Sequence, residues 1–453
     1  MDRRRFLQAT GTGAAAVTVA GCVESGDGDG GGDGGGDGGG TDTGGSDGDG
    51  GDGGDGGDGG DGGGSDLPDT ITVGALGPAD SPMGASIFKA AEMAANEINE
   101  NGGIDGSDVE IVTKDTMDDP STTREVYQEL TTGENVNATV GIFGSENLLS
   151  IMGNIAQAQT VHLTTGAATP EAPRQVEENY EQHKYWFRVG PTNSTFLADS
   201  LVTYAKDRFE EMGWEKIAFI AEDYKWTEPV TRNIEQRLTE EAGVEVTEVR
   251  RIAEGTEDFT PIYDELEGSD VDGAYTALAH IGTTSLVQWA KQQRPFGYGG
   301  IHVPTQLPSY YAATEGAAIA TFSNTTATPR AEVTDKTVPF AEAYHDANDG
   351  YPVYNGYSTY DAVYMLKNAI ESAGTVDSDD LVSELEGMEF TGTSGTIAFY
   401  GEDEEFPHDV KYGPDFAQGV YFQWQPDDEG NGVQEVIWPD DLTTSEYMSP
   451  PWV

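Results

Sequence analysis

The chain has 453 residues, with 81 Asp and Glu against 23 Lys and Arg and a formal charge of −58. That length supports at least one large core and suggests two or three domains. So acidic a balance excludes nucleic-acid binding through a basic face. The acids are spread along the chain and not gathered in blocks. Such self-repulsion is tolerable where molar salt cuts the Debye length to about 3 Å, so the composition points to a halophile's protein working in brine.

Residues 1–22 read as an export address. Arg3, Arg4 and Arg5 precede Phe6-Leu7 and resemble the twin-arginine consensus, and Ala14 to Ala20 is a weakly apolar stretch too short to span a bilayer. It ends in Val19-Ala20-Gly21-Cys22, which resembles a lipobox. Cys22 is the only cysteine, so no intrachain disulfide is expected, and its position predicts a lipid anchor on the outer face of the cytoplasmic membrane. From Gly26 to Asp66 the chain is Gly and Asp with a few Ser and Thr. Without apolar side chains it cannot offset the entropy of ordering, so residues 23–66 are expected to form a solvated tether. A calcium-binding glycine–aspartate repeat would need an apolar residue in each turn.

From Thr70 the pattern alternates. Thr70 to Ala75 reads as a strand, Gly84 to Asn99 as a helix with Ile87, Ala91, Ala94 and Ile98 on one face, and Val109 to Val112 as a second strand. Asp118-Asp119-Pro120-Ser121 should start a helix running to Leu130. Ala138 to Phe143 and Val161 to Thr164 are the third and fourth strands. The third breaks at Gly144-Ser145 before a helix from Glu146 to about Gln159, and the fourth runs into Gly166-Ala-Ala-Thr169. A strand that stops at glycine before a helix leaves backbone N–H groups pointing outward, suited to a carboxylate or other acceptor-rich group. In an open parallel sheet, ligands collect at such carboxyl ends.

The alternation then restarts. Tyr185 to Val189 is a strand, Ser194 to Met212 a helix, Lys216 to Ala221 a strand and Thr227 to Ala242 a single helix. Strand-like Val244–Arg250 and Val271–Leu278 alternate with helical Asp258–Leu266 and Thr284–Gln293. Helical spacing returns at Val333–Ala347 and Ser358–Ser372, where Tyr360, Tyr364 and Leu366 read as core. Residues 391 to 438 suit hairpins on a sheet edge. The fold class is α/β: two doubly wound lobes with parallel sheets.

At this point the chain resembles the type 1 periplasmic-binding-protein fold, and within it the branched-chain amino-acid-binding proteins of ABC importers. The matching stretches are Ile71 to Ala75, Ala90 to Asn99 with Gly102-Gly-Ile104, Asp115 to Pro120, Gly166 to Glu171, Phe187 to Gly190, Lys216 to Ile220 and Asp258-Phe-Thr260. The resemblance implies two lobes, 67–190 with 325–418 and 191–324 with 419–445, joined by crossings near Phe187–Pro191, Phe322–Thr326 and Phe416–Val420. It implies that Gly144 and Ser145 hold a ligand carboxylate, and that Ala167 and Thr169 bind its amino and carboxylate groups. Trp226 falls where a tyrosine often covers the ligand, and Ala279-His280 at another contact on the second lobe. Thr305-Gln306 stands where the amino-acid binders keep a glutamate for the ammonium.

That departure matters, because a buried ammonium without a carboxylate partner costs several kcal/mol unless other acceptors replace it. Glu222 and Asp223, just after the Lys216–Ala221 strand, are the candidate acids to supply the charge. The expected function is capture of a small polar solute by clamshell closure and its delivery to an ABC permease and ATPase complex, without metal, cofactor or chemistry. An amino acid is the first candidate ligand; short amides, urea or small carboxylates are alternatives. A sensor module of the same fold is the competing role. An enzyme is disfavoured, since no nucleophile elbow, phosphate loop or metal-binding histidine spacing is present in the sequence.

Overall fold

The computed structural model describes residues 67–453, so Cys22, the export segment and the tether lie outside the described residues. The chain opens with β1 (Thr70–Gly77), α1 (Pro82–Glu100), β2 (Asp108–Asp115), α2 (Pro120–Gln128), β3 (Ala138–Gly141), α3 (Ser145–Ala158), β4 (Val161–Thr164), α4 (Glu171–Glu178) and β5 (Trp186–Arg188). The five strands form one parallel sheet in the order β2-β1-β3-β4-β5. Two of the helix starts follow from the sequence. Ser81 caps α1 through Met83 N–H, and Asp119 caps α2 through the N–H groups of Ser121 and Thr122.

A second sheet follows, built on α5 (Ser194–Met212), β6 (Lys216–Glu222), α6 (Thr227–Thr231), α7 (Ile234–Ala242), β7 (Glu245–Ile252), α8 (Thr260–Gly268), β8 (Gly273–Leu278), α9 (Thr283–Lys291), β9 (Gly297–His302) and β10 (Phe322–Thr325). The chain then returns through α10 (Thr337–Asn348), α11 (Tyr354–Ala373), α12 (Ser378–Glu386), β11 (Glu389–Thr391) and β12 (Thr396–Ala398). It ends in the hairpin β13 (Val420–Pro426) and β14 (Gly432–Trp438). The second sheet runs β14-β13-β10-β9-β8-β6-β7, parallel except at the hairpin edge. Ala362 to Ile370, Leu381, Leu385 and Ile397 pack into the core of the first sheet, so the segment after β10 belongs with the N-terminal strands. The second sheet buries apolar residues on both faces.

Three differences from the sequence reading have physical causes. The stretch Thr227–Ala242 is two helices, not one, because Asn233 takes the left-handed conformation (φ 61°), which Asn tolerates better than most residues. Strand β9, Gly-Tyr-Gly-Gly-Ile-His, has too many glycines to read as a strand. Its glycines lie under rings: a Cβ at Gly297 would come within 2.3 Å of Trp214, and one at Gly299 within 2.3 Å of Phe322. Finally, β3 ends at Gly141 and not at Phe143. Gly141 (φ 114°) and Ile142 (φ 68°) both turn left-handed, an uncommon conformation for a β-branched residue that marks local strain. This turn takes Phe143 and Ser145 out of the sheet and into the space facing the second sheet.

Candidate functional site

The two sheets leave a cavity between the carboxyl ends of their strands. Phe143 and Ser145 enter it from the β3–α3 turn, Gly166 and Ala168 from the loop after β4, and Tyr354 from the start of α11. The other wall is Leu197 from α5, Trp226 at the start of α6, Ala279 and His280 after β8, and Ile301, Val303 and Gln306 around the end of β9. Pro191, Asn324, Thr325 and Thr326 form the floor. The cavity measures about 60 Å³, on a scale where one water needs ~10–15 Å³. It holds a few waters or one small solute.

Among the residues expected from the sequence, Ser145, Trp226, Ala279, His280 and Gln306 line this space together. Gly144, Ala167, Thr169 and Thr305 do not line it. Gly144 is the N-cap of α3, and its carbonyl accepts from Leu148 N–H. Arg188 donates to the carbonyls of Ala167 and Thr169, and the Thr169 hydroxyl accepts from Glu171 N–H at 3.2 Å. The Thr305 hydroxyl donates to the His302 carbonyl at 2.6 Å, and its own carbonyl accepts from Trp424 Nε1 and Gln434 Nε2. Each of these four holds the wall in place from behind.

Glu222 and Asp223 have different fates. Asp223 is exposed and pairs with Arg251 at 2.6 Å. Glu222 is 0% exposed and its carboxylate is crowded with donors: Trp226 Nε1 at 2.6 Å, His280 Nδ1 at 2.7 Å, and the N–H groups of His280, Ala279 and Ile281 at 2.8, 2.9 and 3.2 Å. One carboxylate thus fixes the indole, the imidazole and the loop that carries it. Burial pushes the Glu222 carboxyl up, but the His280 hydrogen bond and charge, with the Ala279 N–H and the indole, bring it below its ordinary value. Burial works against a charged His280, yet the bond and charge of Glu222, with Asp118 and Glu146 nearby, raise its pKa. His280 also stacks on Tyr224, with centroids 4.1 Å apart.

The walls touch across the opening. Lys225 N–H donates to Glu146 Oε1 at 3.1 Å, Ser194 donates to the Ala168 carbonyl through its N–H and hydroxyl, and the Phe143 and His280 rings lie 5.2 Å apart. Of the lining residues, Phe143 sits one place from the predicted turn, whereas Leu197 and Tyr354 come from distant helices with no local signal. Among the described residues, no cluster of three or more His, Cys, Asp or Glu is placed to hold a metal ion.

An apolar chamber with polar groups at its ends, closed by α/β elements from two sheets, is the site of a solute-binding protein. The sequence matches the model of the family described as "Periplasmic binding protein" over residues 70–413. The chain belongs to that family, and it is a binding protein, not an enzyme. It is similar to the leucine-, isoleucine-, valine-, threonine- and alanine-binding protein of Pseudomonas aeruginosa, with 24% identity over 345 residues, 73% of this chain and 86% of that one. Its fold matches the branched-chain amino acid transporter substrate-binding protein of Streptococcus pneumoniae, solved with isoleucine (TM-score 0.66, 19% identity, 82% of this chain and 100% of that one). It also matches a solute-binding protein of an ABC transporter from Rhodopseudomonas palustris, solved with 3,4-dihydroxybenzoic acid (TM-score 0.68, 18% identity, 83% of this chain and 99% of that one).

Proposed function

We propose that this chain is the extracellular substrate-binding component of an ABC importer, and that it closes on one small carboxylate-bearing solute. In this reading, lobe 1 is residues 67–190 with 325–418, and lobe 2 is residues 191–324 with 419–445. The observation that carries the reading is the chamber built from both sheets, with the α3 N-terminus at one end and Trp226 and His280 at the other. The N–H groups of the first turn of α3 and the Ser145 hydroxyl receive the carboxylate. Trp226 and His280 then close over the solute, and the difference in affinity between open and closed forms drives the motion. The named relatives bind leucine, isoleucine, valine, threonine and alanine, or are solved with isoleucine or 3,4-dihydroxybenzoic acid, solutes that share a carboxylate.

Ser145→Ala and Trp226→Ala are each expected to weaken binding by about 1–3 kcal/mol in calorimetric titration against whichever solute stabilises the chain in a high-salt thermal-shift screen. Unchanged affinity in both variants would remove this site assignment. The chain is further proposed to be a twin-arginine-exported lipoprotein of a halophile, anchored at Cys22 beside its permease and ATPase. Cys22→Ala should release the protein into the medium, and retention at the cell would count against the anchor. Desalting should unfold the chain, because the Debye length lengthens to ~30 Å at 0.01 M and the acidic surface then repels itself. A circular-dichroism spectrum unchanged by dilution would refute the halophilic reading.

A further inference from the structure

We propose that the solute this cavity selects is a carboxylate with an apolar body and no ammonium group. The inference rests on the reading of the chain as a substrate-binding protein and narrows its ligand class.

No Asp or Glu lines the cavity. Glu222, the nearest buried acid, already accepts five hydrogen bonds, and Asp223 pairs with Arg251. Asp118 and Glu146, whose charges act on His280, do not line the cavity; Glu146 accepts from Lys225 N–H at 3.1 Å and Asp118 from Asn147 Nδ2 at 2.6 Å. Gln306 is tied to β10: its Nε2 donates to the Asn324 carbonyl and its Oε1 accepts from the Thr325 hydroxyl, both at 3.1 Å.

The main-chain acceptors of the loop after β4 are engaged as well. The Gly166 carbonyl accepts from the Tyr354 hydroxyl at 2.9 Å. The Ala167 carbonyl accepts from Arg188, and the Thr169 carbonyl from Arg188 at 2.5 Å. The Ala168 carbonyl accepts from Ser194 N–H at 2.7 Å and from its hydroxyl at 2.8 Å. An ammonium needs three acceptors, and each carbonyl of this loop already accepts at least one hydrogen bond, the Ala168 carbonyl two. What remains is neutral: the second lone pairs of the singly bonded carbonyls, and side-chain oxygens such as Asn324 Oδ1 and the Thr326 hydroxyl.

Donors, by contrast, are in surplus. Among the described residues, the N–H groups of Ser145 and Ala168 and the Ser145 hydroxyl, all on the cavity wall, make no hydrogen bond. A carboxylate accepts from such groups, and the positive end of α3 favours its charge. Phe143, Leu197, Trp226, Ile301 and Val303 supply apolar surface for the rest of the molecule. An α-amino acid would place its cation among donors and hydrocarbon; its deaminated counterpart would not.

Matched pairs test this. Calorimetric titration of the folded chain in high salt would compare leucine with 4-methylpentanoate, and phenylalanine with 3-phenylpropanoate. At least one acid should bind at least about tenfold more tightly than its amino-acid partner. A smaller margin in both pairs, or tighter binding of either amino acid, overturns the ligand class but leaves the binding-protein reading intact. Silence from all four compounds, together with no hit in a wider solute screen, overturns both. Gln306→Glu adds an acid at the chamber and should move the preference toward the amino acid. A folded Gln306→Glu protein with an unmoved preference counts against the ligand class, and if the variant fails to fold the wild-type titrations still decide.

Discussion

Replacing Glu222 with alanine is expected to destabilise the chain by about 3–5 kcal/mol, because it strips five donors of one fully buried acceptor. Three of those donors are consecutive main-chain N–H groups, which have no other acceptor in the described structure, and a fourth belongs to a half-buried histidine. Urea denaturation in high salt would measure the loss. A change within about 0.5 kcal/mol would show that the hub is not formed. Solute affinity should fall in the same variant, since Trp226 and His280 lose the anchor that sets their orientation.

Glu222→Gln provides the pH arm. Glu222 has a lowered folded pKa, so its contribution is present above its ordinary 4.5 and is lost as pH falls through the lowered value. His280 has a raised folded pKa, so its contribution is full below its ordinary 6.5 and is lost as pH rises through the raised value. The pair therefore stabilises most between pH 4.5 and 6.5, and the glutamine variant should flatten that optimum.

The second large effect is expected at Arg188. Arg188 and Asp409 form an ion pair at 2.8 Å, and both side chains are 0% exposed. Removing the cation in Arg188→Ala leaves a buried carboxylate held by Asn193 Nδ2 and the N–H of Val410 alone. The cost should be about 3–5 kcal/mol. The same change frees the carbonyls of Ala167 and Thr169, so the loop after β4 loses its order and solute affinity falls as well. The double variant Arg188→Met with Asp409→Leu separates the two effects, because an apolar pair restores much of the stability but not the loop anchor. If the double variant binds solute as tightly as the wild type, Arg188 does not position the loop.

Much of the architecture was legible. Residues such as Val161–Thr164 and Ser194–Met212 announce their elements by period and by flanking breakers, and the structure has them at those bounds. Ser145, Trp226, Ala279 and His280 were named from the sequence and lie on one cavity. The neighbours of the loop after β4 were not legible. Whether Thr169 faces a solute depends on where Arg188 sends its guanidinium, and that depends on Asp409, more than 200 positions away in the chain.

Glu222 makes the same point from the other side. Its place after the β6 strand marked it, with Asp223, as an acid that could meet a ligand's charge, but tertiary packing made it the acceptor for Trp226 and His280 instead.

The amino-acid order by itself determined the α/β rhythm, the acidic surface and the strand ends where N–H groups point outward, because these follow from local spacing and charge. Only the tertiary structure decided which of those polar groups stay uncommitted. A hydrogen bond is satisfied by whatever lies beside it in space, and the partners of Gly166, Ala167 and Ala168 come from Tyr354, Arg188 and Ser194, each set in place by a different element.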